Sequence, residues 1–302
     1  MNRSIASFAL LLAGCATTAA PLISSKPAPA SPVVFAAQTP GAAPLHLTRV
    51  AHASVLIDFD GEVVLTDPWF TESSQYHHGE PLAMDVAHLP KLAAVVVSHS
   101  HYDHFDIDAF AAYPDKSVPF FMPPDCVDAA KKAGFTHVQA MQPWDSAAVG
   151  DLTITAAPAE HGVPENTYVL QGKGRTVYFG GDTLKIPALD ALSKRFPHID
   201  AAFLPINGLR AVGRQQVMTA DEAAALTAQL RPGVVVPIHY AFRGGWFSEI
   251  FLSYDGPHDA SGFAAAAKAR APGTQVRVLA PGETLDVLNA DPAGAPRQST
   301  SK

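Results

Sequence analysis

The sequence predicts an α/β fold in which two β-sheets pack face to face between two layers of helices. Two observations support this prediction. Short apolar runs of strand length, rich in β-branched residues, alternate along the chain with segments of helical character. Polar residues able to bind metals follow several of these runs directly, which is where layered α/β folds gather their functional groups. A single four-layer domain fits both observations.

A β-hairpin opens the predicted domain. Its strands occupy residues 47–58 and 63–66 and are separated by Asp60 and Gly61, a dipeptide that favours tight hairpin turns. The next strand is a buried run of small and β-branched residues at 93–97. The apolar runs that follow predict four further strands, at residues 152–156, 175–179, 201–204 and 234–238.

Two helices have clear sequence signals. The first is predicted over residues 125–132 and ends at Gly134. The second begins after Thr219, which forms a capping-box pattern with Glu222. This helix continues through Leu230, and the sequence Arg-Pro-Gly at 231–233 stops it.

The most informative segment follows the strand at 93–97 and reads His-Ser-His-Tyr-Asp-His. In extended backbone, His99, His101 and Asp103 share one face, while His104 points away and can reach a second ion. Nitrogen and oxygen ligands without sulfur favour zinc or a similar first-row metal. A solvated histidine-rich loop is the alternative, but burying these groups without a cation is costly.

Three further candidate ligands each lie just beyond an apolar strand. His161 follows the strand at 152–156, Asp182 follows the strand at 175–179, and His239 follows the strand at 234–238. Two glycines precede Asp182 and would let the backbone approach a metal closely. A site for two metal ions therefore has enough candidate ligands.

These ordered blocks resemble the metallo-β-lactamase-fold hydrolase superfamily over roughly residues 45–288. Its His-x-His-x-Asp-His motif stands at residues 99–104, and its later ligands match in order. The resemblance implies a four-layer αββα sandwich and two divalent ions, with Zn²⁺ favoured and Mn²⁺ or Fe also compatible. It places His99, His101 and His161 on metal 1, Asp103, His104 and His239 on metal 2, and Asp182 as a bridge between them.

The beginning of the domain narrows this resemblance. His52 in Ala-His-Ala-Ser, followed by Asp67 and Pro68, is similar to the opening of the branch that includes ascorbate-6-phosphate lactonase and N-acyl-phosphatidylethanolamine phospholipase D. Ala51 replaces the usual glycine of that branch. The residues around the histidine motif and around Asp182 look more like the phospholipase. True β-lactamases are disfavoured, because they do not place an aspartate at the position of Asp182.

The resemblance implies a hydrolase in which a hydroxide shared by two metals attacks a phosphodiester, with phospholipids among the candidates. A lactonase or other carboxylic-ester hydrolase is the alternative, and a metal-binding envelope protein without catalysis is a third hypothesis. Asp103 would be a catalytic residue that orients the hydroxide. His52 either faces the metals or substrate, or closes a strand end. Asp67 either orients a ligating imidazole or forms a turn before Pro68.

An anionic substrate needs cations beyond the metals. Four side chains near the strand ends could supply them, although each also fits a solvated surface charge: Lys185, Arg210, Arg214 and Arg243. Asn207 follows the strand at 201–204, so its loop is predicted to reach the site. The segment containing Phe242, Trp246 and Phe247 fits either a pocket wall for an acyl chain or ordinary packing.

The N-terminal residues predict export. Residues 1–14 have the basic start and short apolar stretch of a signal peptide, too short to span a membrane. The Leu-Ala-Gly-Cys sequence ending at Cys15 resembles a bacterial lipoprotein cleavage box. It implies lipid on Cys15 and anchoring in the envelope, at the outer membrane facing the periplasm. Residues 15–44, rich in Ala and Pro, predict an extended tether, and residues 289–302 predict a loose tail.

Composition excludes some partners. The 302-residue chain carries a formal net charge of −7, which argues against a nucleic-acid substrate, since proteins that bind nucleic acids usually carry a basic face. The expected partner is a small-molecule or lipid ester, and the oligomeric state is left open. With Cys15 assigned to lipid, Cys126 has no internal disulfide partner and is predicted to be buried.

Overall fold

The computed structural model describes residues 44–256 and 258–287. The predicted signal peptide at 1–14, Cys15, the predicted tether up to residue 43 and the predicted tail at 289–302 lie outside the described residues. In the described part, no helix is long and apolar enough to cross a membrane.

The described residues form many short strands. These are β1 (Leu45–Ala51), β2 (Ser54–Phe59), β3 (Glu62–Thr66), β4 (Tyr76–His77), β5 (Ala94–Val96), β6 (Phe120–Met122), β7 (Val138–Ala140), β8 (Ser146–Val149), β9 (Leu152–Ala157), β10 (Thr167–Gly172), β11 (Arg175–Phe179), β12 (Ala201–Pro205), β13 (Leu209–Ala211), β14 (Arg214–Gln215), β15 (Val234–Ile238), β16 (Arg243–Gly244), β17 (Leu252–Tyr254), β18 (Gln275–Val276) and β19 (Thr284–Asp286).

The helices are short, and along the chain most of them connect strands of the two sheets. The α-helices are α1 (Ile107–Phe110), α2 (Val127–Lys132), α3 (Asp190–Arg195), α4 (Ala220–Leu230) and α5 (Ala260–Arg270). Single 3₁₀ turns occupy Val86–His88, Pro124–Cys126, Pro187–Leu189 and Ser248–Ile250.

Two seven-stranded sheets form the centre of the domain. One has the strand order β19-β1-β2-β3-β5-β6-β7 and the other β18-β15-β12-β11-β10-β9-β8. Apolar side chains from both sheets, such as Ile57 and Phe179, fill the space between them. A second cluster packs α3, α4 and α5 on one sheet, and a third packs α1 and α2 on the other. The predicted four-layer αββα sandwich is therefore confirmed.

The opening hairpin forms as predicted. Phe59 pairs with Glu62, and the two residues between them, Asp60 and Gly61, both have positive φ. Two-residue hairpin loops favour this conformation because its twist matches that of the strands. The turn aligns the apolar residues of β2 and β3 on the same faces, so the hairpin contributes to the cores on both sides of its sheet.

The two predicted helices are present, with one difference in detail. α4 begins with a complete capping box, in which Thr219 and Glu222 exchange hydrogen bonds between side chain and backbone. The helix predicted from residue 125 is α-helical only from Val127, because a 3₁₀ turn starting at Pro124 precedes it. Proline is favoured at such a start, where no backbone N–H is needed.

The sheet topology brings distant segments to one edge. β3, β5 and β6 run parallel in the first sheet, and β11, β12 and β15 run parallel in the second. Parallel strands end at the same edge of a sheet, so the loops after β5, β11 and β15 meet there. These loops carry the candidate ligands except His161, whose loop follows β9, a strand that runs in the same direction as β11 because both pair antiparallel with β10.

Candidate metal centre

The histidine motif leaves β5 and turns at once. The backbone N–H groups of His104 and Phe105 both donate to the carbonyl oxygen of His101, at 3.0 and 2.8 Å. The backbone is therefore not extended beyond His101. The prediction that Asp103 shares a face with His99 and His101 is wrong, because this turn rotates Asp103 toward a different set of side chains.

Three imidazoles form the first candidate metal position. The Nε2 atom of His99 lies 2.9 Å from Nδ1 of His101, and Nε2 of His161 lies 3.1 Å from the same atom. His99 is fully buried, and the other two are partly buried. Three ring nitrogens this close together suit a shared cation, because protons can satisfy only some of their lone pairs.

Asp103, His104 and His239 form the second candidate position. The Oδ2 atom of Asp103 lies 3.7 Å from Nε2 of His239 and 3.8 Å from Nε2 of His104. His52 joins this group, with its Nε2 atom 3.4 Å from the same carboxylate oxygen. One ligand atom from each of these four residues lies within 4.8 Å of the others.

Asp182 connects the two positions. Its Oδ2 atom lies 2.9 Å from Nε2 of His239 and 3.3 Å from Nε2 of His104. Asp182 also forms a third group with His99 and His104, which places it beside the first position as well. A carboxylate has two oxygens with room for several contacts, so Asp182 can serve two cations at once.

Divalent cations fit these residues. Several buried polar atoms of the cluster have no hydrogen-bond partner among the described residues, including Nε2 of His104, Nδ1 of His239 and Oδ1 of Asp182. A buried polar atom without a partner is costly, and such atoms are rare in proteins. Imidazole and carboxylate donors without sulfur suit zinc, manganese or iron.

The protonation of the cluster differs between its two halves. Burial, with neighbouring histidines, holds the pKa of His99 well below its ordinary value, and burial also lowers the pKa of His101 and His161. These imidazoles are therefore neutral, which is the form that binds metals. Burial opposes a charge on His239, but Asp182 and Asp103 outweigh it and raise its pKa to about 9. Cation binding at this second position therefore competes with protons.

Asp67 and Ser98 support the histidine motif through buried hydrogen bonds. Asp67 accepts a hydrogen bond from Ser98 N at 2.6 Å, another from Ser98 Oγ at 2.6 Å, and contacts Nδ1 of His104 at 2.6 Å. Both residues are fully buried. Of the two hypotheses for Asp67, the structure supports the one in which it orients an imidazole and leaves Nε2 of His104 facing the cluster.

Glu165 is a part of the centre that sequence reasoning missed. Its Oε1 atom accepts a hydrogen bond from Asp182 N at 2.6 Å and lies 3.5 Å from Nδ1 of His99. Burial raises the pKa of Glu165 well above its ordinary value, and the neighbouring Asp182 adds to this effect. Glu165 follows His161 by four residues in a loop, and no spacing rule signals such a contact.

His52 faces the cluster from the turn between β1 and β2. Its ring is fully buried, and its centroid lies 4.3 Å from that of His239 and 5.1 Å from that of His104. Burial and the neighbouring His239 lower its pKa to about 3, so the ring is neutral. Of the two hypotheses for His52, this geometry supports the metal-facing one.

The predicted substrate residues are in mixed environments. Arg210 is in an ion pair with Asp255 at 2.6 Å, and Asn207 is buried, with its side chain accepting from Leu209 N at 3.2 Å. Lys185 and Arg243 are partly buried and belong to no ion pair among the described residues. Their part in substrate binding, and that of exposed Arg214, stays a prediction.

Phe242 forms one wall of the second position. Its ring stacks 6.0 Å from that of His239 and also lies 5.8 Å from that of Tyr76. Beyond it, Trp246 and Phe247 are 80% and 52% exposed, so they are not part of the ordinary core.

Cys126 is buried as predicted, and burial raises the pKa of its thiol.

Comparisons with known proteins agree with this geometry. The sequence profile of the family described as β-lactamase superfamily domain matches residues 62–240. An uncharacterized protein of Mycobacterium tuberculosis is 29% identical over 238 residues, which cover 70% of this chain and 63% of that protein. The chain thus spans less than two thirds of the length of this relative.

Two further matches cover nearly all of the other protein. A UPF0173 metal-dependent hydrolase of Pelotomaculum thermopropionicum is 28% identical over 256 residues, 80% of this chain and 100% of that protein. The solved structure of Igni18, a metallo hydrolase from Ignicoccus hospitalis, has a TM-score of 0.60 and 24% identity, and it covers 80% of this chain and 98% of its own. The structural match shows a shared fold.

Gly181 offers a test of how tightly the centre is packed. Its φ is +52°, and a Cβ atom there would lie 2.5 Å from Oε1 of Glu165 and 2.7 Å from Cβ of Ser98. We expect Gly181→Ala to weaken metal binding and to lower the free energy of unfolding by more than the roughly 1–2 kcal/mol of left-handed strain. Gly174→Ala is the matched control, since Gly174 also has positive φ but open space around it. Equal losses in both variants would contradict this packing.

Removal of Asp182 tests its position between the two groups. We expect Asp182→Ala to weaken the affinity for one of two divalent ions by roughly 100-fold or more, because a shared carboxylate is lost. Elemental analysis after dialysis, with Asp151→Ala at an exposed surface position as control, measures this change. Wild-type metal content and wild-type turnover in Asp182→Ala would refute the role of Asp182.

Proposed function

The chain belongs to the β-lactamase superfamily domain family, and from that premise we propose that it is a metal-dependent hydrolase that uses two divalent cations to cleave a phosphodiester. Its four-layer fold is that of the metallo-β-lactamase superfamily, as the family match and the solved relatives agree. One observation carries the proposal: Asp182 lies 2.9 Å from His239 in the second group, and one of its ligand atoms lies within 4.8 Å of one on His99 in the first group.

Two bound divalent cations would supply positive charge that polarises the scissile ester and lowers the pKa of water. The protein residues fix where this chemistry takes place. His99, His101 and His161 hold the first position as neutral donors, and Asp182 ties it to the second. Burial opposes ionisation of Asp103, but His104 and His239 outweigh it and hold the pKa of its carboxyl well below the ordinary value, so this carboxylate would accept a hydrogen bond from water and orient it.

Residues near the centre support an anionic substrate. Lys185 follows Asp182 by three residues, and Arg243 directly follows Phe242, whose ring stacks on His239. The Nε atom of Arg243 is buried without a hydrogen-bond partner among the described residues. A phosphodiester carries one negative charge before hydrolysis, which such a cation can bind. The anionic substrate is argued from the residues of this chain and not from the relatives reported above.

A lipid substrate is supported by an exposed aromatic surface near the centre, formed by Trp246, Phe247, Ile250 and Phe251. The rings of Phe247 and Phe251 lie 5.4 Å apart, and the ring of Trp246 lies 5.7 Å from Phe247. The backbone of Gly245 is bound to Gln75, beside the strand that carries Tyr76 at the wall of the site. Large apolar side chains exposed together are unusual on a soluble surface.

A lipid anchor on Cys15 would bring this surface to a membrane. The predicted tether between Cys15 and the domain has about thirty residues, and an extended chain of that length reaches tens of ångströms. The aromatic surface can therefore touch the bilayer that holds the anchor. On this proposal the protein acts at the outer membrane, facing the periplasm.

A substrate panel tests the reaction. We expect purified protein loaded with Zn²⁺ or Mn²⁺ to hydrolyse bis(p-nitrophenyl) phosphate, and to lose this activity on chelation and regain it on metal addition. The same preparation should act poorly on simple lactones and thioesters. Turnover of lactones alone would assign the chain to carboxylic-ester hydrolysis. Metal binding without turnover of any ester would contradict the proposal that the chain is a hydrolase.

The aromatic surface can be tested apart from the chemistry. We expect the double variant Trp246→Ser, Phe251→Ser to cleave a phospholipid in vesicles roughly tenfold more slowly, because it loses more than about 1.4 kcal/mol of apolar burial at the bilayer. Its rate on a water-soluble diester should equal that of wild type. Val278→Ser is a control at an exposed apolar residue outside this surface. Unchanged vesicle rates would refute a lipid-facing role.

A further inference from the structure

Two residues of the second metal position have strained backbones. His52 has φ +52° and His239 has φ +56°, in the left-handed region that favours glycine. A side chain with a Cβ atom stays in that region only where its surroundings impose the conformation. Something in the structure must therefore hold both residues in place.

A buried ion pair contacts both of these segments. Arg49 in β1 is fully buried, and its guanidinium donates to both carboxylate oxygens of Glu80, at 2.8 and 2.5 Å. The side chain of Glu80 is 1% exposed. Two parallel hydrogen bonds fix the carboxylate in direction as well as in distance.

One end of this pair contacts His52, and the other contacts the residue that follows His239. Oε1 of Glu80 accepts the backbone N–H of His52 at 2.9 Å. The guanidinium of Arg49 lies over the ring of Tyr240, 4.7 Å from its centroid, and Tyr240 directly follows His239. A further hydrogen bond from Arg49 to the carbonyl oxygen of Leu279, at 3.2 Å, ties the guanidinium to the segment that precedes β19.

We propose that the buried Arg49–Glu80 pair is a positioning unit for the second metal position, and this inference rests on the metal centre of the proposed function. Among the described residues, neither side chain forms a hydrogen bond with a ring nitrogen or carboxylate of the cluster, and Glu80 meets only the backbone N–H of His52. Glu80 fixes the backbone of His52 through its hydrogen bond, and Arg49 fixes the position of Tyr240 by lying over its ring. Together they determine where the imidazoles of His52 and His239 point. Among the described residues, no hydrogen bond joins the pair to the first position, formed by His99, His101 and His161.

The domain holds a second buried pair that serves as a control. Arg175, at the start of β11, contacts Asp200 at 2.8 Å, and the side chains are 3% and 7% exposed. Asp200 also accepts from the backbone of Thr176 at 2.8 Å, much as Glu80 accepts from His52. This pair lies at the end of β11 opposite to the one that leads to Asp182. This pair therefore has the same chemistry as Arg49–Glu80 but lies away from the metal centre.

The experiment is a Zn²⁺ titration of the full chain by calorimetry, in competition with a chelator, together with a thermal melt. We expect Glu80→Gln to raise the dissociation constant of one Zn²⁺ by about tenfold or more and to leave the other unchanged. Asp200→Asn should lower the melting temperature but leave both Zn²⁺ affinities as in wild type. His239→Ala identifies which of the two affinities belongs to the second position.

If Glu80→Gln does not fold, Arg49→Lys tests the positioning role of the pair. Lysine keeps the charge but can neither form the two parallel hydrogen bonds nor stack on Tyr240, so the second Zn²⁺ should still bind more weakly. Equal weakening of both ions, or a loss of stability with both affinities unchanged, would overturn the proposal. A wild-type chain that binds fewer than two Zn²⁺ ions would instead refute the proposed metal centre, so the two failures can be told apart.

Discussion

The convergence of buried imidazoles and carboxylates at one edge of the sandwich is the constraint on which the rest of the structure depends. Imidazole nitrogens lie within hydrogen-bond distance of each other, and carboxylate oxygens lie beside them with polar atoms left unpaired. In a dry interior such an arrangement is unfavourable unless a cation offsets it. The scaffold must therefore hold groups together that would otherwise move apart.

The protein does this with polar contacts beneath the ligands. Asp67 and Ser98 hold His104, and Glu165 holds the backbone of Asp182, each through short hydrogen bonds in a buried setting. Backbone strain occurs in the same place, since His52, Asp67 and His239 all have positive φ. Strained residues commonly cluster at functional sites, where the surrounding structure imposes their conformation.

Much of the fold and of the centre could be predicted, because the signals are local. A run such as Val234–Ile238 has the composition of a buried strand, and Thr219 with Glu222 caps a helix through neighbours in sequence. The candidate ligands were found because each follows such a strand. Glu165, Ser98 and Glu80 could not be found in this way, because each acts through contacts with residues that are distant in the chain and follow no fixed spacing.

The sequence by itself determined the elements, their order and the types of ligand, since hydrophobic periodicity and donor chemistry are properties of short segments. Only the tertiary structure decided how the division of the ligands between two positions, which the resemblance implied, is achieved. The turn after His101 sends Asp103 away from His99, and sheet pairing brings His161, Asp182 and His239 to one edge. The strands before Asp182 and His239 are parallel through β12, and β9 before His161 runs in the same direction because β9 and β11 both pair antiparallel with β10. Such division depends on backbone direction and sheet register, which residues far apart in the chain set together.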